Sequence, residues 1–124
     1  MPSDNERRRH RSDNTNIALS LQLLASQQRL GAKSVVLADH HGRVIARSND
    51  SPVAEEVVSF GPVLARPTTW NGRVRYSGRR LAVTIARVPL GKQNGYICSL
   101  GASANNPDAE LIAAGRGIRR ILNR

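Results

Sequence analysis

Asp39, His40 and His41 stand side by side, a trio that could hold a metal ion or move a proton. Adjacent side chains on an extended chain point to opposite sides, so the two imidazoles cannot readily chelate one ion. No Cys-x-x-Cys, His-x-x-x-His or acidic cluster completes a metal site, and Asp39-x-x-Gly42 reads as a turn. Cys98 and Ser99 could act as nucleophiles, but each needs a base within hydrogen-bond reach. The histidines are His10, His40 and His41, and no known motif places one beside them. The run Tyr96 to Leu100 reads as a buried strand, in which a free cysteine behaves as a small apolar residue. Glu55 and Glu56 have a sufficient role in favouring the positive end of a helix. Ser77-Gly78-Arg79-Arg80 is too short for a phosphate loop and joins two strands rather than a strand and a helix. The expectation is a non-enzyme with no catalytic residue, metal or cofactor.

The basic residues carry more information. The chain holds 17 Arg and 2 Lys against 9 acids, a net charge of +10. No acidic residue occurs from Val57 to Pro107, whereas Arg66, Arg73, Arg75, Arg79, Arg80, Arg87 and Lys92 all lie there. Such a field attracts nucleic acid, anionic lipid or an acidic protein face; the bland reading is an arginine-rich surface that meets only solvent. Arg73 and Arg75 alternate onto one side of a strand, Arg79, Arg80 and Arg87 belong to its neighbour, and Arg116, Arg119 and Arg120 share a helical face. These eight are the candidate partner or polyanion contacts. Phosphate binding needs only such cations. Single-strand recognition would also need exposed aromatics, and the chain offers at most Trp70 and Tyr76.

These residues need a scaffold, and 124 residues supply one domain. Residues 1–12, with Arg7-Arg8-Arg9-His10-Arg11, read as a disordered basic arm, and 13–124 as a single domain. No stretch approaches the ~20 apolar residues of a membrane span, no secretory signal is visible, and Cys98 is alone. The chain therefore reads as cytoplasmic.

The pattern predicts a helix over 16–30, with Ile17, Leu21 and Leu24 on one stripe, Leu23 and Leu30 beside it, and Gly31 as its stop. Strands over 33–39 and 43–48 form a hairpin. Pro52 opens a helix carrying Val53, Val57, Phe60 and Leu64, weakened at Gly61-Pro62 and ended by Arg66-Pro67. Strands follow over 73–76, 80–88 and 96–102, with a loop over 89–95. In the middle one, Leu81, Val83 and Ile85 share one face, and the smaller Ala82, Thr84 and Ala86 the other, where a helix should pack closely. A last helix starts at Asn105 or Asn106 with Pro107, Asp108 and Glu110, and carries Leu111, Ile118, Ile121 and Leu122. Short connections make the sheet antiparallel.

The order α-β-β-α-β-β-β-α at this length resembles the roadblock/dynein light chain family, whose fold is profilin-like. Ser34 to Asp39 with Gly42 to Ala46 looks like the family's first hairpin, and Leu81 to Val88 followed by Tyr96 to Leu100 looks like its last two strands. Such a hairpin also occurs in ligand-sensing folds of the GAF and PAS type. The roadblock resemblance implies an α/β (α+β) domain: a five-stranded antiparallel sheet with two helices on one face and one on the other. It also implies a homodimer in which the second helix and third strand meet their copies, placing Val57, Phe60, Leu64, Val74 and Tyr76 at or near the interface. Arg73 and Arg75 would then approach their own copies, unless they point to solvent, the dimer differs, or an acidic partner covers them.

Three functions stay open. The favoured one is a non-catalytic dimeric regulatory or scaffold module for a protein partner, a small Ras-like GTPase or a motility or polarity complex. The alternatives are a basic module for non-specific duplex binding and a GAF-like small-molecule sensor.

Overall fold

The computed structural model describes residues 4–123, with side chains from Asn14 onward. Helix α1 (Asp4–Leu30) begins upstream of the expected start at Asn16. The arm read over residues 1–12 lies outside the residues whose side chains are described. Five strands follow the expected order: β1 (Ser34–Ala38), β2 (Val44–Arg47), β3 (Thr69–Tyr76), β4 (Arg79–Leu90) and β5 (Gln93–Leu100). They form one antiparallel sheet in the order β2-β1-β5-β4-β3. Helices α2 (Pro52–Val58) and α3 (Gly61–Leu64) stand between β2 and β3, and α4 (Pro107–Leu122) closes the chain.

Strand alternation divides the core in two. Val35, Leu37, Ala86, Val88 and Ile97 point to the face covered by α1 and α4, where they meet Leu19, Leu23, Leu30, Leu111, Ala114 and Ile118. Val36, Ala38, Val83, Ile85, Tyr96, Cys98 and Leu100 point to the other face, against Ala54, Val58 and Ala65. Both faces of β1 and β5 are thus apolar, as for any central strand covered on two sides. Each fully buried leucine or isoleucine contributes about 1.5–3 kcal/mol relative to an exposed one. The small face of β4 receives α4, as its composition predicts. Gly115 lies so close that a Cβ there would sit 2.6 Å from Val88 Cγ1.

Caps set the helix ends. The Ser51 hydroxyl accepts from the Ala54 N–H and the Asn106 side chain from the Ala109 N–H, each with proline in the first turn. Glu55 in the first turn of α2 pairs with Arg47 at 2.8 Å, and Glu110 in that of α4 pairs with Arg29 at 2.6 Å. At the end of α1, Gly31 has φ +61°. Its N–H donates to Gln28, and that of Ala32 donates to Gln27. This double closure is the left-handed stop the glycine promises.

The structure corrects four details. In α1 it is Leu19, Leu23, Ser26 and Leu30 that face the sheet, while Ile17, Leu21 and Leu24 point outward. The helix carries two apolar stripes, and periodicity alone selects the wrong one. The second helix breaks, as Gly61-Pro62 suggests, but into two separate helices. A Cβ at Gly61 would lie 2.8 Å from the Tyr96 ring, so the break lets the backbone reach that ring. Strand β3 begins earlier than expected, at Thr69. Finally, residues 89–95 are mostly strand: Leu90 pairs with Gln93 across a turn in which Gly91 takes φ +71°. Pro89 fits because the Arg87 N–H donates towards β3, to Thr68. The proline nitrogen points the same way two residues on, where β3 has ended.

Ser99 is fully buried on the α1/α4 face, and its hydroxyl has no hydrogen-bond partner in the structure. Replacing it by alanine removes an unsatisfied buried group. Ser99→Ala is expected to raise stability by about 1 kcal/mol, read as a higher midpoint in thermal unfolding; a lower midpoint would show that the hydroxyl contributes to the fold.

Candidate interaction surface

The outermost strand β3 has only β4 beside it. The Arg87 N–H reaches Thr68, and the paired register runs without interruption from Thr69–Ala86 to Tyr76–Arg79. Trp70, Gly72, Val74 and Tyr76 therefore direct their backbone groups to β4, while Asn71, Arg73 and Arg75 direct theirs to the open edge. An eight-residue edge with unpaired donors and acceptors is a template for another strand.

The side chains of β3 divide by the same alternation. Trp70, Val74 and Tyr76 lie on the α2/α3 face, where Trp70 and Val74 pack against the second core cluster together with Val57, Leu64 and Leu81. Of the interface residues implied by the roadblock resemblance, Val57, Leu64 and Val74 are thus half-buried within their own chain, and Phe60 and Tyr76 are exposed. Tyr76 also has the Lys33 ammonium 5.9 Å from its ring centre. The sequence reading missed Val63, at 74% the most exposed large apolar residue here, beside Phe60 at 55%. Val63 lies opposite the buried stripe Ala54, Val58, Gly61 and Ala65, which is one residue on from the stripe Val53, Val57, Phe60 and Leu64 that the sequence suggests.

The sequence points to Trp70 only as a stacking residue. Its indole lies along its own strand over Gly72, where a Cβ would collide with the ring. The glycine is what lets the indole lie flat beside the open edge. Trp70 is the sole tryptophan, so Gly72→Ala should move its emission to the red as the ring is displaced towards water. Unchanged emission would mean that the ring does not rest there.

The eight arginines do not form one patch. Arg73, Arg75 and Arg80 lie on the α1/α4 face of the sheet, where Arg75 and Arg80 are directly opposed. The neighbouring Ala82 is exposed, so no helix covers this corner. Arg79 and Arg87 point to the other face, and Arg87 donates to the Arg66 carbonyl at 2.6 Å. Arg116, Arg119 and Arg120 line an open groove of about 640 Å³ with Asn123. Arg119 lies about 15 Å along α4 from its first turn, and that turn is tied to β3 through Asp108 and Asn71. Among the described residues, Arg73, Arg75 and Arg80 enter no ion pair. Like charges facing each other across a strand pair destabilise it unless an anion intervenes. Trp70 and Tyr76 lie on the opposite side of the sheet from these three arginines, so cations and aromatics do not combine into a base-stacking platform.

The other candidates for chemistry are occupied by structure. The Asp39 carboxylate accepts from the His41 and Arg43 N–H groups, both at 2.9 Å. Slight desolvation opposes its ionisation, but these two donors and the nearby charges of Arg43 and His40 prevail and lower its pKa below the ordinary value. Gly42 completes the turn at φ +85°. Cys98 is buried on the α2 face, and burial pushes its thiol up to about 12, so it stays protonated at neutral pH. Among the described residues, no group of three His, Cys, Asp or Glu side chains could hold a metal, and no helix is long and apolar enough to cross a membrane.

No protein-family model matches the chain, and neither does any curated protein. Solved structures do. An MglB with a tetrameric arrangement superposes with TM-score 0.62 at 14% identity, over 88% of this chain and 90% of that one. The gliding protein MglB from Thermus thermophilus gives 0.61 at 12%, over 88% and 91%. Myxococcus xanthus MglB gives 0.60 at 13%, over 86% and 89%. The fold is roadblock-like. At these identities the roadblock-like likeness is one of architecture, with five antiparallel strands and helices on both faces, and it extends over nearly the whole of both chains.

Proposed function

We propose that the chain is a non-catalytic regulatory module. It works as a homodimer joined along β3 and binds an acidic protein partner, of which a small Ras-like GTPase in a motility or polarity system is the favoured kind. One observation carries this reading: β3 is a long open edge with the N–H groups of Asn71, Arg73 and Arg75 turned outward. Two copies pairing there would satisfy those groups and continue one sheet into the next. Phe60 and Val63 supply apolar surface on the α2/α3 side of the sheet.

The same pairing would bring Arg73, Arg75 and Arg80 of both copies towards each other on the α1/α4 face. The cost of that repulsion is what an acidic partner offsets. The GTPase part rests on the resemblance to roadblock proteins and on the likeness to MglB, one example of which is a gliding protein. A fold does not by itself fix a function.

The experiment is solution mass by light scattering, for the chain alone and mixed with a small Ras-like GTPase from the same organism, loaded with GDP or a non-hydrolysable GTP analogue. The reading expects a dimer that gains the mass of the GTPase in one nucleotide state, and loses it when Arg73, Arg75 and Arg80 are replaced by glutamine. A chain that gains no such mass but associates with duplex DNA, and dissociates from it at high salt, would replace this reading with the nucleic-acid one.

A further inference from the structure

The two helices that cover one face of the sheet share an outer surface that is both apolar and basic. Ile17 and Leu21 of α1 are 58% and 60% exposed, and Leu24 lies beside them on the same outward stripe. The helices run antiparallel, since Gln22 meets Gly117 and Arg29 reaches Glu110. The valley between them is lined by Leu21 on one side and Arg120 on the other. Arg120 also lines the groove of Arg116, Arg119 and Asn123. Aliphatic stripe, valley and arginines are therefore one continuous surface. Its floor is filled by Gln22, whose side-chain amide a Cβ on Gly117 would meet at 2.6 Å. No further helix can sink between the two, so whatever covers this surface lies across it.

The charges identify the occupant. No charged residue occurs from Asn14 to Gln28, and no acidic one from Leu111 to Arg124. Among the described residues, Arg116, Arg119 and Arg120 enter no ion pair. A nucleic acid would engage these arginines but leave Ile17 and Leu21 in water. A bilayer with acidic headgroups satisfies both parts of the surface at once. Arginine stems lie along apolar surface while their guanidinium groups reach phosphate oxygens. The aliphatic side chains enter the boundary between headgroups and acyl chains. In a fluid layer they need no complementary pocket, whereas an anchor in a protein interface does.

We infer that the outer face of α1 and α4 is a peripheral membrane contact that takes lipids with anionic headgroups. The helices lie on the bilayer rather than across it, as their length and polarity require. The inference does not rest on the β3 pairing. Three aliphatic side chains and three arginines make a reversible contact, which strengthens when several joined copies face one bilayer.

The test is flotation of the full chain with vesicles of phosphatidylcholine, alone or mixed with phosphatidylglycerol. Wild type should float with the mixed vesicles only, and less so at high salt. Leu21→Gln leaves the net charge unchanged and should weaken that binding roughly tenfold, because the side chain no longer enters the acyl boundary. Replacing Arg116, Arg119 and Arg120 together by glutamine should weaken it about a hundredfold. All four residues are exposed, and circular dichroism checks that each variant keeps the fold. Equal binding by wild type and Leu21→Gln would overturn the inference, because attraction between a basic chain and an acidic surface would then suffice. Binding that survives the arginine replacements would overturn it as well, and pass the contact to the run Arg7 to Arg11. A wild type that ignores the mixed vesicles but holds polyglutamate through the same arginines would make the face an acidic-protein site instead.

Discussion

Arg73→Pro is expected to turn the proposed β3-paired dimer into a monomer without unfolding the domain. The Arg73 N–H points to the open edge of β3, while Gly72 and Val74 on either side make the bonds to β4. Proline at position 73 therefore removes a donor that the isolated domain does not use, and its ring obstructs a strand approaching that edge. The preceding residue, Gly72, is the one least restricted by a following proline. A two-fold interface feels the change twice. Losing two hydrogen bonds weakens association by about 3 kcal/mol, roughly a hundredfold.

Arg73→Ala separates the backbone effect from the charge effect. It keeps the N–H and removes a like charge from the interface, so it should dimerise at least as well as the wild type. Light scattering over a dilution series distinguishes the two variants. If Arg73→Ala and Arg73→Pro fall apart equally, the guanidinium rather than the edge holds the copies together.

Gly115→Val is expected to give the largest loss of stability. Residue 115 lies on the buried side of α4, where a Cβ would sit 2.6 Å from Val88 Cγ1 and 2.8 Å from Val88 Cβ. Relief requires α4 to lift off β4, and with it the layer formed by Leu111, Ala114 and Ile118. Overpacking of this kind costs about 1–3 kcal/mol per site, and valine's γ-methyls place it at the upper end. Helix propensity favours valine over glycine by only a few tenths of a kcal/mol, so packing decides the sign. The thermal midpoint should fall by roughly 10 °C. Gly115→Ala should fall less, because alanine gains about 1 kcal/mol of helix propensity against the same clash. A midpoint unchanged by valine would mean that α4 does not approach β4 so closely.

Glycines and prolines made most of the scaffold legible. Gly31, Gly42 and Gly78 all adopt the positive φ that their turns demand, and Pro52 and Pro107 begin helices. Alternation in β4 correctly separated its two faces, down to the small side that admits α4. The reading failed where two patterns of equal local strength compete. In α1, Leu19-Leu23-Leu30 and Ile17-Leu21-Leu24 are both valid apolar stripes, and only the position of the sheet selects between them. In the second helix, the larger residues Val53, Val57, Phe60 and Leu64 outweighed the smaller stripe Ala54, Val58, Gly61 and Ala65 one residue on, which is the side that packs and leaves Val63 outward.

The arginines were legible as a basic field but not as a surface. Alternation along β3 and β4 scatters five of them over both faces of the sheet, and α4 carries the other three, so the field is not one patch. The open edge of β3 was invisible in its residues for another reason. Nothing in residues 69–76 says that the strand lies outermost, because strand order is a property of the whole sheet.

Amide hydrogen exchange at Asn71, Arg73 and Arg75, followed by nuclear magnetic resonance over a dilution series, tests the β3 pairing most directly. These three N–H groups have no partner within the chain's own sheet. Pairing of two edges predicts that they are strongly protected at high concentration and lose that protection together as the dimer dissociates, while Gly72 and Val74 stay protected throughout. Exchange at the rate of open surface amides at every concentration would contradict the account and leave β3 an unpaired edge.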